Sequence, residues 1–596
     1  MIINPIPKSS STDPKDPLSY RGIALASAMY KIYCNVLNSR LSKWVEENDK
    51  LVDEQNGFRK KRSTTDHILS LCNIIETRKK MKKSTFCAFI DFKKAYDSIN
   101  RNILWQRLRD SGIGGRMLIA IKALYNSVSS CVRVNYFTTD WFDVKVGLRQ
   151  GCILSPILFN LYINDLALYL KSLNTGINVG QEKVCILLYA DDIVLLADSA
   201  KDLQTLLNAV KDWCLENHMA INCSKSNVIH FRNPSKDKTN IVFKCGDDII
   251  QVVDRYTYLG LVLTEYLDFN VTAKVVAQSA SRALGLVIAK CKLAGGVPYS
   301  VFTKLYDSVV WPVISYGAAI WGCRSFSCIN AVHNRAMRFF LGVGKYTPSA
   351  ALVGEMAWHP PIVRQWKHIM QLWARVSNTL SLRINKRIAL WASAASGPPC
   401  KNWFFMVKTK LGECNTNSYT NIGVRIPKKH ICTVVENYMM SQFIDDWKST
   451  ITSFNGPSGR GRNKLRTYCT FKSEFSVEFY CKMILPLKHR AAFCKFRCGV
   501  APIRLETGRY ENLPENERKC IFCNEVESEQ HVILHCPLYD DIRDILFEKA
   551  THVSSDFTSL SDTDKLIFLF TDHSLIRVCA KTCFKILNRR SSFLCK

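Results

Sequence analysis

The chain has 596 residues, 47% of them apolar and 22% charged, which excludes global disorder and a coiled-coil rod. Lysine and arginine total 81 against 51 acidic residues, so the net charge of +30 indicates a polyanionic partner, either nucleic acid or an anionic membrane surface. The N-terminus has no apolar stretch of signal-peptide length, and the longest membrane-like run, Val309–Cys323, is too short to span a bilayer. We therefore predict a nuclear or cytoplasmic protein with no membrane partner.

The first predicted elements are a helix and a buried strand. Apolar residues recur at helical spacing over Ile23–Val45. Phe86–Ile90 is a short, continuously apolar run typical of a buried strand, and Asp91 ends it.

Two hairpins and a further helix follow. Residues 131–137 and 141–146 alternate around a turn predicted at 138–140. Two apolar runs, 184–188 and 193–197, flank a second turn that contains Asp191 and Asp192, and Leu203–Leu215 has the pattern of an amphipathic helix. Helices packed on an antiparallel sheet define the α+β class.

Aspartates end both buried strands. Asp91 follows the first, and Asp191 and Asp192 form the turn of the second. An acidic pair in a turn is commonly turn chemistry alone. Apolar strands on both sides, and a third aspartate in matching context, favour instead a pair of Mg²⁺ ions bound by carboxylate oxygens, with Mn²⁺ as an alternative.

Motifs in a fixed order surround these aspartates. They are Pro5–Lys8, Tyr20–Leu25, Gln55–Arg59, Phe89–Asp97, Gly147–Pro156, Tyr189–Asp192, Asn222–Ser226 and Tyr258–Gly260. Together they resemble the motifs of the reverse transcriptases of non-long-terminal-repeat (LINE-type) retrotransposons. The likeness covers about Ile3 to Leu263 and continues more weakly to about Pro361.

The resemblance implies a right-hand polymerase fold and a domain order. Fingers and palm are expected at 1–265, a helical thumb-like region at 266–380, a helical connection at 381–455 and a basic C-terminal region at 456–596. The implied reaction is RNA-templated addition of deoxynucleotides to a DNA 3′ end, so the implied partners are a template RNA, a DNA primer or target, and dNTPs.

Residue roles also follow from the resemblance. Asp91, Asp191 and Asp192 would hold the metal ions. Lys8 and Arg21 would contact the triphosphate, and Lys225 would be a general acid for the departing pyrophosphate. Ordinary surface charge is the alternative for all three cations.

The remaining implied contacts concern the template and the sugar. Arg149, Gln150 and Gly151 would contact template and nucleotide, with the glycine allowing close approach to the backbone. Tyr96, five positions after Asp91, would exclude a 2′-hydroxyl and so favour DNA synthesis; a core aromatic is the alternative reading.

Two basic runs lie close to the polymerase motifs. They occupy residues 59–62 and 78–83. Their position favours contact with template phosphates, although a solvated surface would give the same pattern.

A metal-ligand pattern occurs near the C-terminus. Cys520, Cys523, His531 and Cys536 have the short spacings of a structural Zn²⁺ site, and His535 is an alternative to His531. Residues 456–510, just upstream, carry 12 basic and 3 acidic residues. LINE-type proteins carry a comparable motif after the polymerase, where it would help to grip RNA or target DNA.

Members of the family usually carry an endonuclease, often on the N-terminal side. Because the polymerase motifs already begin at Pro5, we expect this N-terminal endonuclease to be lacking. Two alternatives to an active LINE-type enzyme remain: a catalytically inactive, nucleic-acid-binding remnant, and a reverse transcriptase of another lineage such as an intron maturase.

Overall fold

The structure, a computed structural model, describes residues 1–8, 13, 15–398, 400–453 and 465–594. The chain divides into two units. The first comprises Met1–Thr272, Arg375–Gly412 and Asn417–Arg425, and the second comprises Ala273–Ala374, Glu413–Thr416 and Ile426–Lys596. The regions predicted at 266–380 and 381–455 are each shared between these units, and the boundary predicted at 455 lies outside the described residues.

Every strand of the described chain belongs to the first unit. The strands are β1 (Ile2–Pro7), β2 (Tyr20–Leu25), β3 (Thr85–Ile90), β4 (Ser129–Val134), β5 (Phe137–Thr138), β6 (Phe142–Asp143), β7 (Ile177–Val179), β8 (Glu182–Val184), β9 (Ile186–Tyr189), β10 (Asp192–Ala197), β11 (Asn227–Phe231), β12 (Phe243–Cys245), β13 (Asp248–Val252), β14 (Arg255–Tyr258) and β15 (Leu261–Thr264).

The α-helices run through both units. They are α1 (Ala28–Glu47), α2 (Thr64–Lys80), α3 (Arg101–Asp110), α4 (Gly115–Tyr125), α5 (Ser155–Ser172), α6 (Ala200–Glu216), α7 (Phe269–Leu293), α8 (Tyr299–Leu305), α9 (Trp311–Ser315), α10 (Ala318–Trp321), α11 (Ser327–Leu341), α12 (Ser349–Met356), α13 (Pro361–Ser377), α14 (Ile384–Ala394), α15 (Trp403–Glu413), α16 (Lys428–Thr452), α17 (Tyr468–Phe471), α18 (Phe479–Lys482), α19 (Leu487–Arg497), α20 (Arg504–Thr507), α21 (Asp540–Val553), α22 (Asp562–Thr571) and α23 (Ile576–Leu594).

The largest sheet has six strands in the order β12-β13-β11-β3-β10-β9. Strand β3 lies near its centre and pairs antiparallel with both β10 and β11. A second sheet has the order β2-β1-β4-β5, with β6 also paired to β4. The six-stranded sheet therefore carries the strands that end in Asp91 and begin at Asp192.

Strand β3 is buried along its whole length, which explains its unbroken apolar sequence. Phe86, Ala88 and Ile90 belong to the core that includes residues of α1, α3, α5 and α6. On the opposite face, the ring of Phe89 stacks on that of Tyr256 with centroids 4.4 Å apart. Burying each of the Phe and Ile side chains contributes roughly 1.5–3 kcal/mol, so the strand that Asp91 follows is firmly held.

The predicted helix over Ile23–Val45 is wrong in its first turn. Residues up to Leu25 form β2 and pair with β1, which satisfies their backbone groups in a sheet. Helix α1 starts only after Ser27, whose hydroxyl accepts a hydrogen bond from the Tyr30 N–H and caps the helix.

The first predicted hairpin is displaced. Strand β4 turns at residues 135–136 into β5, instead of turning at 138–140, and Asn135 adopts a positive φ of 56° there. The second hairpin, β9–β10, and the helix α6 are confirmed. None of the helices in the described ranges combines the length and the apolar character that a membrane crossing requires.

Candidate active site

The three predicted aspartates lie on neighbouring strands. Asp91 follows β3 directly, and β10 begins at Asp192. Because Ile193 pairs with Ile90 in an antiparallel register, the next position of each strand brings Asp192 opposite Asp91. Asp191 occupies the tight turn between β9 and β10, beside Ala190, which has a φ of 58°.

The carboxylates influence one another electrostatically. Burial and the negative charge of Asp91 raise the pKa of Asp191, while Arg21 and a backbone hydrogen bond lower it. Although the side chain of Asp192 is exposed at the surface, surrounding protein and the charges of Asp191 and Asp91 raise its pKa to about 6. The site thus concentrates negative charge that a bound cation would relieve.

The acidic turn is braced by residues 55–57. The side-chain oxygen of Gln55 accepts hydrogen bonds from the N–H groups of Ala190 and Gly57, at 2.9 Å and 2.7 Å. A Cβ atom at Gly57 would overlap the backbone nitrogen of Ala190. The motif Gln55–Arg59 therefore has a structural role that the sequence did not reveal: it fixes the turn that presents Asp191.

His67 supports the same turn from the core. Its Nε2 lies 2.8 Å from the carbonyl oxygen of Leu188 and 2.9 Å from that of Glu54, and its Nδ1 lies 3.1 Å from the side-chain amide nitrogen of Asn56. Both carbonyls can only accept, so Nε2 carries the hydrogen and Nδ1 accepts. Burial lowers the pKa of this fully buried ring to about 4.

The stability of the first unit should therefore fall in mild acid. An unfolded histidine takes up its proton near pH 6.5, whereas folded His67 does so only near pH 4. The unfolded state consequently binds more protons between these values, and roughly 3 kcal/mol of stability is lost as the pH falls from 6.5 to 4. Urea unfolding at several pH values should show a shallower pH dependence for His67→Gln than for the wild type.

The control for this prediction is His218→Asn. His218 is exposed, and asparagine tolerates its positive φ of 51°. This variant should keep the wild-type pH dependence. If His67→Gln also keeps it, the neutral state assigned to His67 is wrong.

Asp91 is held by the motif Asn222–Ser226. The side-chain amide of Asn222 donates to the Asp91 carboxylate at 2.9 Å, and the backbone N–H of Asn222 donates to the Asp91 carbonyl at 2.7 Å. The Asp91 N–H donates to the hydroxyl of Ser226 at 3.1 Å. These contacts fix the orientation of one carboxylate from a loop about 130 residues later in the chain.

A cavity of about 1070 Å³ opens beside the acidic turn. Of the ten residues predicted for catalysis and substrate contact, nine line it, and Asp192 is the exception. The nine are Lys8, Arg21, Asp91, Tyr96, Arg149, Gln150, Gly151, Asp191 and Lys225. Residues that are far apart in the sequence thus line the same cavity, and both carboxylates and cations are among them.

Tyr96 lines this cavity and also packs against the core. Its ring stacks on Phe159 with centroids 4.8 Å apart, and its hydroxyl is buried without a hydrogen-bond partner. Burial raises the pKa of Tyr96 above its usual value, so the hydroxyl stays protonated. The Leu148 N–H donates to the Tyr96 carbonyl at 2.7 Å, which ties this position to the 147–151 loop.

The 147–151 loop is fixed by its own contacts. The guanidinium of Arg149 lies over the ring of Tyr30, and the side-chain amide of Gln150 donates to Asp97 at 2.8 Å. Gly151 has a φ of 89°, and a Cβ there would lie 2.9 Å from the carbonyl oxygen of Ala24. Glycine at 151 is therefore required by the packing of the chain itself, independently of any template.

The model of the family described as "Reverse transcriptase (RNA-dependent DNA polymerase)" matches residues 6–263, the segment that carries the cavity and its aspartates. The chain carries a reverse transcriptase domain.

Curated relatives of this reverse transcriptase domain come from non-LTR retrotransposons. The Pol polyprotein of the type-1 retrotransposable element R2 of Nasonia vitripennis is 28% identical over 269 residues, which are 44% of this chain and 26% of the relative. The corresponding R2 protein of Popillia japonica is 27% identical over 320 residues, 52% of this chain and 43% of the relative. The chain thus spans less than half the length of these relatives.

Among solved structures, apo telomerase from Candida Tropicalis matches over 73% of this chain and 68% of its own, at 12% identity and a TM-score of 0.36. At that level it adds nothing to the assignment. The predicted α+β fold of polymerase type is confirmed, since the reverse transcriptase domain contains the sheets and flanking helices described above.

The basic runs of the reverse transcriptase domain are only partly available to a template. Arg59 pairs with Glu46 at 2.7 Å, Arg62 pairs with Asp53 at 2.7 Å, and Arg78 pairs with Asp198. These three side chains are almost fully buried and hold the fold, so their predicted template contact is wrong. Lysines of both runs, at positions 60, 61, 80, 82 and 83, remain exposed.

A separate cluster lies outside the reverse transcriptase domain. Cys520, Cys523, His531 and Cys536 place their ligand atoms within 4.8 Å of one another. The Sγ atoms of Cys520 and Cys536 are 3.8 Å apart, and Cys523 Sγ lies 3.1 Å from His531 Nε2. His535 instead lies 2.7 Å from Asp562, so the geometry favours His531 as the histidine of the cluster.

Among the described residues, this is the only group of three or more potential metal ligands with such close spacing. The three aspartates of the reverse transcriptase domain are not in such a group; they lie on neighbouring strands, and their charges raise the pKa values of Asp191 and Asp192.

Proposed function

We propose that the chain is an RNA-directed DNA polymerase of a non-LTR retrotransposon, which adds dNTPs to a DNA 3′ end on an RNA template. The observation that carries this proposal is the single cavity lined by nine of the ten predicted residues. The match of residues 6–263 to the reverse transcriptase family supports it. Template RNA, a DNA primer or target, and dNTPs are the proposed partners.

Asp91, Asp191 and Asp192 fit the role of metal ligands. Their carboxylates lie at the ends of adjacent strands, and burial together with their mutual repulsion raises the pKa values of Asp191 and Asp192, an effect that a bound cation would oppose. Two Mg²⁺ ions, or Mn²⁺ in their place, would stabilise the attacking and leaving oxygens of an in-line phosphoryl transfer. Asn222 orients Asp91 for this role.

The cations that line the cavity are assigned to the triphosphate. Lys8 and Arg21 would neutralise negative charge on the phosphates, and Lys225 would donate a proton to the departing pyrophosphate. Arg149, Gln150 and Gly151 would position template and nucleotide. The loop that carries them is already fixed against Tyr30, Asp97 and Ala24, so little conformational entropy is lost when the substrates bind.

Tyr96 is proposed to exclude ribonucleotides. Its ring lines the cavity that Asp91 and Asp191 share, and stacking on Phe159 prevents it from yielding to a 2′-hydroxyl. Tyr96→Ala should raise ribonucleotide incorporation by roughly tenfold to a hundredfold relative to dNTP incorporation, because steric exclusion of one small group is worth about 1–3 kcal/mol. Single-nucleotide extension with matched dNTP and rNTP measures this ratio.

Tyr136→Ala provides the matched control, since Tyr136 is an exposed tyrosine outside the cavity. It should leave the discrimination unchanged. Equal discrimination by Tyr96→Ala and the wild type would remove Tyr96 from sugar selection.

Primer extension tests the function itself. The purified chain is incubated with an RNA template, an annealed labelled DNA primer, dNTPs and Mg²⁺. Extension is expected, and chelation by EDTA should abolish it. A chain that binds the primer–template without extending it is the inactive remnant, and the polymerase proposal is then wrong.

We also propose that Cys520, Cys523, His531 and Cys536 bind one structural Zn²⁺. Three thiolates and an imidazole suit a tetrahedral zinc site, and the close spacing of the four ligand atoms supports the assignment. The site would stabilise the C-terminal region, which is proposed to assist in gripping RNA or target DNA.

A further inference from the structure

Buried arginines in the described chain are almost all paired with carboxylates. Six arginines are less than 7% exposed when backbone and side chain are counted together: Arg78, Arg232, Arg490, Arg497, Arg543 and Arg590. Five of them form ion pairs: Arg78 with Asp198, Arg232 with Glu265, Arg497 with Glu355, Arg543 with Asp540, and Arg590 with Glu527. This pattern is expected, since a buried charge is costly unless it is paired. Arg490 is the exception.

Arg490 lies on helix α19 in the second unit and is 5% exposed. Its Nε is buried without a hydrogen-bond partner, and within the described ranges no carboxylate lies at ion-pair distance from its guanidinium. Its guanidinium makes a cation–π contact, with the guanidinium carbon 3.9 Å from the ring centroid of Phe340. The fold therefore holds a fixed positive charge that its own acids leave uncompensated.

Two adjoining cavities meet at Arg490. Their volumes are about 190 Å³ and 450 Å³, and both are lined by Arg490, Leu487 and residues 295–297. Lys292 lines the smaller and Arg577 the larger, whereas the lining of both contains no Asp or Glu. Side chains added at Gly295 or Gly296 would meet nothing within 4 Å, so open space borders this loop.

We propose that the two adjoining cavities together bind a phosphate group of a nucleic-acid strand. Arg490, which lines both, would supply forked N–H donors, and Lys292 and Arg577 would add positive charge. A guanidinium fork matches the oxygens of a phosphate, and an anion would restore the pairing that the other buried arginines have. The larger cavity also has apolar lining, from Met483, Ile484 and Leu485, that suits an adjoining sugar or base.

A nucleic-acid strand is favoured over other phosphate carriers by the charge of the chain. Residues 456–510, which include Arg490, carry 12 basic and 3 acidic residues. Five of these cations are paired with acids in the fold, but the chain as a whole carries a net charge of +30, and this excess attracts polyanions to its surface. The choice of strand as ligand rests on the proposed polymerase function, whereas the anion site rests on Arg490 itself.

The test measures binding of a fluorescein-labelled single-stranded RNA to the full-length chain by anisotropy over a range of KCl concentrations. Arg490→Met should weaken binding, and the slope of log affinity against log salt should become shallower by roughly 0.7, the value of one phosphate contact on a single strand. Lys488→Met is the matched control, because it removes an exposed cation from the same helix outside the cavity lining. Equal slopes for the two variants overturn the proposal.

Thermal unfolding separates binding from folding. Removing an unpaired buried charge should leave the midpoint of Arg490→Met equal to or above that of the wild type. Arg490→Lys keeps the charge and should recover most of the salt slope. If both variants lose thermal stability and RNA affinity in parallel, Arg490 serves the fold and the proposal is wrong.

Inorganic phosphate distinguishes a strand from a free ion. If it raises the thermal midpoint of the wild type but not of Arg490→Met, while the RNA salt slopes stay equal, the cavity takes free phosphate and the strand proposal is wrong. The binding assay needs neither dNTPs nor primer extension. The salt slopes can therefore be interpreted even if the chain proves not to be a polymerase. Conversely, if Arg490 proves not to bind phosphate, primer extension still tests the proposed polymerase function.

Discussion

Asp191→Asn should lower primer extension by roughly a thousandfold or more, because a lost metal ligand removes several kcal/mol of charge stabilisation from the transition state. The substitution is nearly isosteric, so the turn held by Gln55 and Gly57 should persist. Burial and the charge of Asp91 raise the pKa of Asp191, which means that the folded state disfavours its ionised form. At neutral pH without divalent ions, the variant should therefore unfold at the same or a higher temperature than the wild type.

The same sheet offers a matched control. Asp247 and Asp248 form a second acidic pair: Asp247 lies in the turn between β12 and β13, Asp248 begins β13, and both are exposed. Asp247→Asn should retain wild-type extension. Extension by Asp191→Asn at a similar level would refute the assignment of Asp191 as a metal ligand.

The second large effect is expected for Cys523→Ser. Cys523 lies 3.1 Å from His531 and is one of the four proposed ligands, and serine is a poor ligand for Zn²⁺. The variant should lose about one zinc per chain, measured by elemental analysis after gel filtration. Structural zinc contributes about 10–16 kcal/mol of binding free energy in small sites, so residues 520–536 should also lose protection from proteolysis.

Two further variants define the ligand set. Cys469→Ser replaces an exposed cysteine of the same unit outside the cluster, and it should keep its zinc. His535→Gln should keep zinc as well, since His535 faces Asp562, whereas His531→Gln should lose it. Wild-type protein without zinc, or Cys523→Ser with a full complement, would contradict the site.

The sequence was sufficient to locate the acidic turn because its two flanking strands are buried on both faces. Ala190-Asp191-Asp192 and Gly246-Asp247-Asp248 look alike as hairpin turns. Only the first lies between continuous apolar runs, and such runs predict a position inside a covered sheet. The same reasoning located β3 and Asp91, so three of the six strands of this sheet followed from local pattern and residue type, whereas β11, β12 and β13 did not.

The residues that support the candidate site could not be predicted from the sequence. Gln55, His67 and Asn222 act through hydrogen bonds to residues 121–135 positions away in the chain, and no local periodicity marks such partners. The template contact predicted for the basic runs at 59–62 and 78–83 was partly wrong for a similar reason. Arg59 and Arg78 have the sequence pattern of a solvated surface, but Glu46 and Asp198 meet them only in the folded state. Local sequence likewise left the choice between His531 and His535 open; in the folded chain His535 contacts Asp562, which favours His531.

The position of β3 has a consequence for biosynthesis. Both of its partners, β10 and β11, are encoded far downstream, and pairing with β11 requires residues 227–231. At about 5–20 residues per second, a ribosome needs on the order of ten seconds to pass from residue 90 to residue 231. During that interval an apolar segment with at least one unpaired edge is exposed on the nascent chain. Chaperone binding near Phe86–Ile90 should therefore be strongest before residue 231 emerges.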